Sequence, residues 1–255
     1  MRVLVCVKRV PAPGAKINIT ADGQAVDTAY LAFTTSPHEE CAVEAAVQLV
    51  EQHGGESTVL TLGPAEADEQ LRYAASIGVN KAVLLPIATA DWDPQRTAAA
   101  ITAAIRELEA AGGAFDIVLF GNESADSGNF QVGVRVAHAL ARPMVNGIKG
   151  IEVDGAAVRA RRDSEAGVEV YALHLPVVLG VKEGINLPRY PTLKGRLASK
   201  KVAVEQAVPQ GVAGGQQMVT LVQAAEQAST TVMLGNGPEA APAVVDLLEE
   251  LGILK

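Results

Sequence analysis

The residues best suited to chemistry in this 255-residue chain lie in one polar run, Gly121-Asn122-Glu123-Ser124-Ala125-Asp126-Ser127-Gly128-Asn129-Phe130-Gln131-Val132-Gly133. Its glycines let a backbone approach a ligand closely. Ser127, Gly128 and Asn129 fall where a helix is expected to begin, and donors at a helix start suit a phosphate. Asn122, Glu123, Ser124 and Asp126 can hydrogen-bond a ribose or an adenine edge. The same residue types also build ordinary turns and caps, so the chemistry alone leaves a nucleotide loop and a structural loop both open. The dinucleotide fingerprint and the phosphate-loop lysine are missing from the run, which does not indicate a common phosphate-loop enzyme.

The elements around this run must place it. Phe115–Phe120 before it reads as a buried strand, and Gln131, Val134, Val136, Ala137 and Leu140 after it follow a helical period. In parallel sheets, ligands sit beyond the carboxyl ends of strands. Two other loops leave such ends, one after Val7 and one at Gly63-Pro64 after Leu62. Val3–Val7, Ser57–Leu62 and Lys81–Leu85 read as strands, and Asp22-Gly23 between short apolar runs reads as a hairpin. Ser36 suits an N-cap, Pro37 the first helical position and Glu39 the third, which predicts a capping box on a helix running to Gly54-Gly55. Pro64–Ile77 and Pro94–Ala111 read as further helices. This alternation predicts βαβ units and a parallel sheet.

After Leu140 the texture changes. Val145–Val153, Ala156–Arg161 and Val168–Leu175 read as antiparallel strands, and Val177–Val181 as another buried strand. Lys182–Lys201 carries charge and turn formers without a clear period. Val208–Gly215 reads as a linker, and Pro238–Leu254 carries a helical stripe at Val244, Val245, Leu247, Leu248, Leu251 and Leu254. The expected fold is α/β, a Rossmann-like parallel sheet flanked by helices, with an antiparallel extension and a C-terminal arm. Residues 1–205 would form the nucleotide-binding domain, and 206–255 a linker and an arm helix packing on a partner.

Net charge is −8 and aromatics are 4%, so no nucleic-acid partner is expected. Two cysteines, Cys6 and Cys41, make no disulfide framework or metal spacing and suit a reducing compartment. The opening Met1–Lys8 run is too short for a signal peptide, which predicts a cytoplasmic protein. His53, His138 and His174 have no clustered partners and read as structural; Trp92, between Asp91 and Asp93, has no functional reading. No nucleophile, base and carboxylate set stands out.

Four motifs in order carry a resemblance over nearly the whole chain. They are Val7-Lys8-Arg9-Val10; Ser36-Pro37-His38-Glu39-Glu40-Cys41-Ala42-Val43-Glu44-Ala45-Ala46; the Gly121, Ser124, Asp126 and Gln131-Val132-Gly133 pattern; and Leu187-Pro188-Arg189-Tyr190-Pro191-Thr192-Leu193. Together they resemble the electron-transfer flavoprotein β-subunit family.

The resemblance implies an electron carrier without bond-making chemistry of its own. It implies a heterodimer whose α subunit holds most contacts to one redox-active FAD, with AMP in the β subunit. Electrons would pass from dehydrogenases, often acyl-CoA dehydrogenases, to a quinone oxidoreductase. By position, the nucleotide contacts would be Cys6, Ser36, Pro37, His38, Glu39, Leu62, Gly63, Gly121, Asn122, Glu123, Ser124, Ala125, Asp126, Ser127, Gly128, Asn129, Phe130, Gln131 and Val132. Glu39 would repel a phosphate, so it is expected to offer backbone or to face away. A partner-recognition loop would span 184–200, with Leu193 as anchor and Arg189, Tyr190, Lys194 and Arg196 beside it. Arg161, Arg162 and Asp163 lie where the family has an Arg–Glu pair between strands. Pro13 stands near where well-studied members have a tyrosine beside the flavin. Two alternatives stay open: an electron-bifurcating β subunit with a second FAD in the nucleotide site, and an ATP-binding stress-type protein.

Overall fold

A computed structural model describes residues 1–88, 92–211, 214–225 and 231–254. Asp91, and residues 212 and 213 of the expected linker, lie outside the described residues. The chain divides into two units, Met1–Leu221 and Val222–Lys255.

The first unit is built on a sheet of nine strands. In chain order the elements are β1 (Arg2–Cys6), β2 (Val10–Pro11), β3 (Asn18–Ile19), β4 (Val26–Asp27), β5 (Phe33–Thr34), α1 (Pro37–His53), β6 (Glu56–Gly63), α2 (Asp68–Ile77), β7 (Lys81–Pro86), α3 (Pro94–Gly112), β8 (Ile117–Gly121) and α4 (Gln131–Ala139). β9 (Met144–Asp154), β10 (Ala157–Ser164), β11 (Gly167–His174), β12 (Val177–Val181), α5 (Leu193–Ser199) and β13 (Val204–Gln206) complete it. The sheet order is β11-β10-β9-β12-β8-β1-β6-β7-β13. From β9 to β13 every neighbouring pair is parallel. Only the β9-β10-β11 meander is antiparallel. This is the expected α/β sheet with its antiparallel extension. The Asp22-Gly23 hairpin forms as the β3–β4 ribbon.

Strand alternation sends successive side chains to opposite faces. Val3, Val5 and Val7 pack on one face with Cys41, Ala42 and Ala46 of α1 and Leu71 and Ala74 of α2. Leu4 and Cys6 pack on the other with Ala98, Ile101 and Ile105 of α3 and Val136 of α4. The central strands are apolar on both faces because helices cover both.

One element was not legible from periodicity. Within the aperiodic stretch 182–201 the structure forms α5, capped by Thr192, whose hydroxyl accepts from the Gly195 amide at 3.0 Å. Seven residues are too few to display a period. The glycine inside it serves packing: a Cβ at Gly195 would lie 2.2 Å from the Ser76 carbonyl oxygen at the end of α2. Trp92 is also placed, stacked under the Arg96 guanidinium at 3.9 Å.

In the second unit a short 3-10 turn, Gly237–Ala240, leads into α6 (Ala241–Glu250). Val244, Val245, Leu247 and Leu251 of this helix are exposed. No helix among the described residues is long and apolar enough to cross a membrane.

Leu119 sits at the centre of β8 with no exposure. Leu119→Ala is expected to destabilise the fold by about 2–5 kcal/mol, seen as a lower urea midpoint at unchanged slope.

Candidate functional site

β1 and β8 are neighbours, yet the chain leaves them in opposite directions. From β1 it passes through α1 to β6 on one side; from β8 it passes through α4 toward the β12–β9 side. This is a topological switch point, where the connections part and open a crevice beyond the strand ends. Lys8, the first turn of α1 and the Gly121–Gly133 run all meet there.

The first turn of α1 is held by the predicted capping box. The Ser36 hydroxyl accepts from the Glu39 amide at 3.2 Å, and the Glu39 carboxylate accepts from the Ser36 amide at 3.1 Å. Glu39 therefore turns its carboxylate back onto its own cap and not toward a ligand. Burial pushes that carboxyl from 4.5 up to about 7, against the hydrogen bonds from Ser36 and Lys8 and the Lys8 charge. Cys6 lies beneath. Burial, then the nearby Glu39 charge, pushes its thiol up, so it packs as an inert apolar group. Gly121 ends β8 directly against this turn, and a Cβ there would come 2.8 Å from Glu39 Cγ.

Lys8 organises the loop. Its ammonium donates to Ser124 Oγ at 3.1 Å and to Asp126 Oδ1 at 2.7 Å. Burial raises the Asp126 carboxyl, but the Lys8 charge and hydrogen bonds outweigh it and leave a net lowering. The run itself carries no Lys or Arg before Arg135; the structure brings in a cation from just beyond β1, 116 residues away from Ser124. The signal available was position alone, a lysine at the carboxyl end of a central strand.

The rest of the loop is fixed by backbone. Asn122 donates to the Val181 carbonyl at 2.8 Å, Gly128 to the Ser124 carbonyl at 2.7 Å, and Ser124 to the Asn129 carbonyl at 3.2 Å. Gly128 takes φ +61°, which a glycine adopts without strain. Asn129 Oδ1 accepts from the Gln131 amide at 3.0 Å, and Phe130 at the N-cap of α4 supplies no side-chain acceptor. Beyond Gln131, the first-turn amides of α4 are left for solvent or an anion. Ala125, Asp126, Ser127, Gly128 and Phe130 are exposed, and Val132 is half-buried.

His38 bridges two elements. Its Nδ1 accepts from the Glu183 amide at 2.9 Å, and its Nε2 faces Glu123 Oε1 at 3.4 Å. An imidazole accepting at Nδ1 carries its proton on Nε2, so it donates to Glu123. Pro37 is exposed beside it. Leu62 and Gly63 end β6, across β1 from the loop. No hydrogen bond joins those two to the loop among the described residues.

The second group of expected residues lies apart. Leu187, Tyr190, Leu193 and Leu197 are exposed apolar side chains, with Lys194 and Arg196 exposed among them. Arg189 is bonded inward, to Glu44 at 2.9 Å and Glu51 at 2.7 Å. On the antiparallel extension, Arg162 of β10 pairs with Glu169 of β11 at 2.6 Å, Arg161 with Glu152 at 3.2 Å, and Asp163 with Lys149 at 3.2 Å.

A family model described as Electron transfer flavoprotein domain matches residues 25–210. The chain is 35% identical over 173 residues to Electron transfer flavoprotein subunit beta of Bacillus subtilis, covering 67% of this chain and 65% of that protein. It is 36% identical over 208 residues to the protein of the same name from Syntrophomonas wolfei, covering 81% and 79%. It is 31% identical over 257 residues to Protein FixA of Azorhizobium caulinodans, covering 95% and 91%.

Two outcomes follow from the α1–β8 contact. Gly121→Ala is expected to cost about 1–3 kcal/mol, because Glu39 must shift to admit the methyl. Glu39 carries a raised folded-state pKa, so the folded chain holds its proton more tightly than the unfolded chain. Its contribution to stability is greatest below 4.5, falls as pH rises to about 7, and is level above. Glutamine also serves the third position of a capping box. Glu39→Gln is expected to flatten the urea midpoint between those pH values and to exceed the parent at pH above 7; an unaltered slope would count against the burial argument.

Proposed function

The chain belongs to the electron transfer flavoprotein family as a β subunit, and on that premise we propose that it binds one AMP in the switch-point crevice and joins an α subunit carrying FAD. The heterodimer would take electrons from dehydrogenases, acyl-CoA dehydrogenases among them, and deliver them to a quinone oxidoreductase in the cytoplasmic compartment or at its membrane face. The residues for AMP are those expected by position, Cys6, Ser36–Glu39, Leu62, Gly63 and Gly121–Val132.

The observation that carries the reading is the start of α4. Its N-cap, Phe130, supplies no side-chain hydrogen bond to the amides beyond Gln131, and a helix N-terminus without a cap suits a phosphate. The glycine-bounded loop beside it offers backbone to the sugar and base. A flavin, when bound, supplies the reversible uptake of electrons. This chain's part is to bind, to orient and to dock. Residues 206–255 would act as linker and arm, with the exposed apolar side chains of α6 packing on the α subunit.

A second reading places a second FAD in the same crevice. The exposed rim from Ala125 to Gly128 favours it, because an open rim accommodates a longer dinucleotide. An ATP-hydrolysing role is disfavoured: Lys8, the lysine at the loop, is already committed to Asp126 and Ser124.

The test is to purify the chain with its α subunit, release small molecules by denaturation and identify them by mass spectrometry. AMP and FAD in equal amounts are expected from a yellow complex. Two FAD per heterodimer would select the second reading. ATP alone, or a stable colourless chain active without a partner, would overturn both.

A further inference from the structure

The segment after β12 lies along one face of α1 in a fixed register. The Glu183 amide donates to His38 Nδ1 at 2.9 Å; Asn186 Nδ2 donates to the Cys41 carbonyl at 2.9 Å; Arg189 Nε donates to Glu44 at 2.9 Å. All three pairs are 145 residues apart in sequence. Helix residues spaced by three share a face, so positions 38, 41 and 44 form one stripe. The Cys41 thiol also donates back to the Asn186 carbonyl at 3.7 Å.

The last clasp is the strongest. Glu44 has 3% of its side chain exposed, and Arg189 reaches it with Nε, with Nη2 at 2.9 Å and with its own backbone amide at 3.2 Å. Nη1 and Nη2 also bond Glu51 at 2.7 and 2.8 Å, two turns further along α1. The Glu51 and then the Glu44 hydrogen bonds hold the guanidinium firmly charged. A planar fork locked on two carboxylates fixes direction as well as distance. Removing Arg189 leaves the buried Glu44 charge without its counter-ion. Directly after Arg189 come the outward-facing Tyr190, Leu193 and Leu197. The same α1 face reaches the crevice through His38 and Glu123.

We propose that α1 is the template that positions the docking segment, with Glu44 and Glu51 holding Arg189 in place, and that His38 ties this placement to the nucleotide loop. Arg189 is then a positioning residue for docking, and the contact charges for a partner are Lys194 and Arg196. The coupling rests on the reading of the crevice as an AMP site; the clasp does not. An occupant that orders Glu123 steadies the imidazole, and the imidazole steadies Glu183 at the root of the segment.

Hydrogen exchange on the full chain tests both parts, with AMP as the probe. Glu44→Gln is expected to speed exchange in residues 184–197 at least about tenfold while β1, β6 and β8 keep their protection. Arg189→Lys, which keeps the charge and loses the fork, should do the same to a smaller extent if the first variant folds poorly. Saturating AMP should slow exchange in 184–197 of the parent, and Glu183→Pro, which removes the amide that donates to His38 Nδ1, should abolish that slowing while AMP still binds. Unchanged exchange in both clasp variants overturns the template. Bound AMP without effect on 184–197 overturns the coupling. Failure of AMP to bind at all, with the clasp effect intact, overturns the nucleotide reading and the coupling with it and supports the template.

Discussion

The first turn of α1 and the end of β8 meet across a gap that admits no side chain. At Gly121 a Cβ would press on Glu39 Cγ and lie 3.4 Å from both the Glu39 amide and His38 Cβ. The approach brings His38 within reach of Glu123 and buries Glu39 against its own cap. It also puts the start of one helix beside the loop that leads into another. The crevice is therefore not carved into the sheet. It is what remains when two helices start on opposite faces at a switch point and one is drawn in tightly. The other helix start, at Gln131, is separated from β8 by the polar run and stays open.

Charge in this crevice is arranged with little left over. Glu39 sits where burial disfavours ionisation, and Asp126 sits where Lys8 favours it. Lys8 favours ionisation of both, but burial outweighs it at the enclosed Glu39 and not at Asp126 on the rim. Three carboxylates border the crevice, and each is turned to another group. Here one is turned onto a helix cap, one is held by an ammonium and one by an imidazole. What remains to meet an anion is backbone amide, which carries no mobile charge and costs little to preorganise.

The local rules of the chain read through well. The capping box at Ser36 and Glu39, the strand alternation and the polar run after Phe120 are each written within a few consecutive residues, and each forms as expected. Two features that did not read through are long-range. Lys8 meets Ser124 only because β1 and β8 are neighbours, a fact of strand order that no local period encodes. Arg189 looks in sequence like a free cation in a basic stretch, yet its partners Glu44 and Glu51 lie on a polar stripe of α1 that the chain after β12 covers at Glu44. In sequence that stripe is indistinguishable from an ordinary hydrated surface. α5 hid for a different reason: its glycine reads as a breaker but serves as a notch for the end of α2.

Under the proposed docking role, the commitment of Arg189 to α1 changes how the surface around Leu193 has to work. With net charge −8, long-range attraction of an acidic partner depends on local cations, and Lys194, Arg196, Lys200 and Lys201 supply them close to Leu193. Steering charges gain from being mobile and hydrated, whereas an apolar anchor gains from being held in place before contact, since ordering it on binding subtracts from affinity. The segment separates these demands. One arginine is committed to two glutamates of α1, Thr192 caps a two-turn helix that begins at Leu193, and the remaining cations are exposed around it. In the proposed arrangement the position of Leu193 is set by α1, the helix whose first turn lies against Gly121 at the crevice.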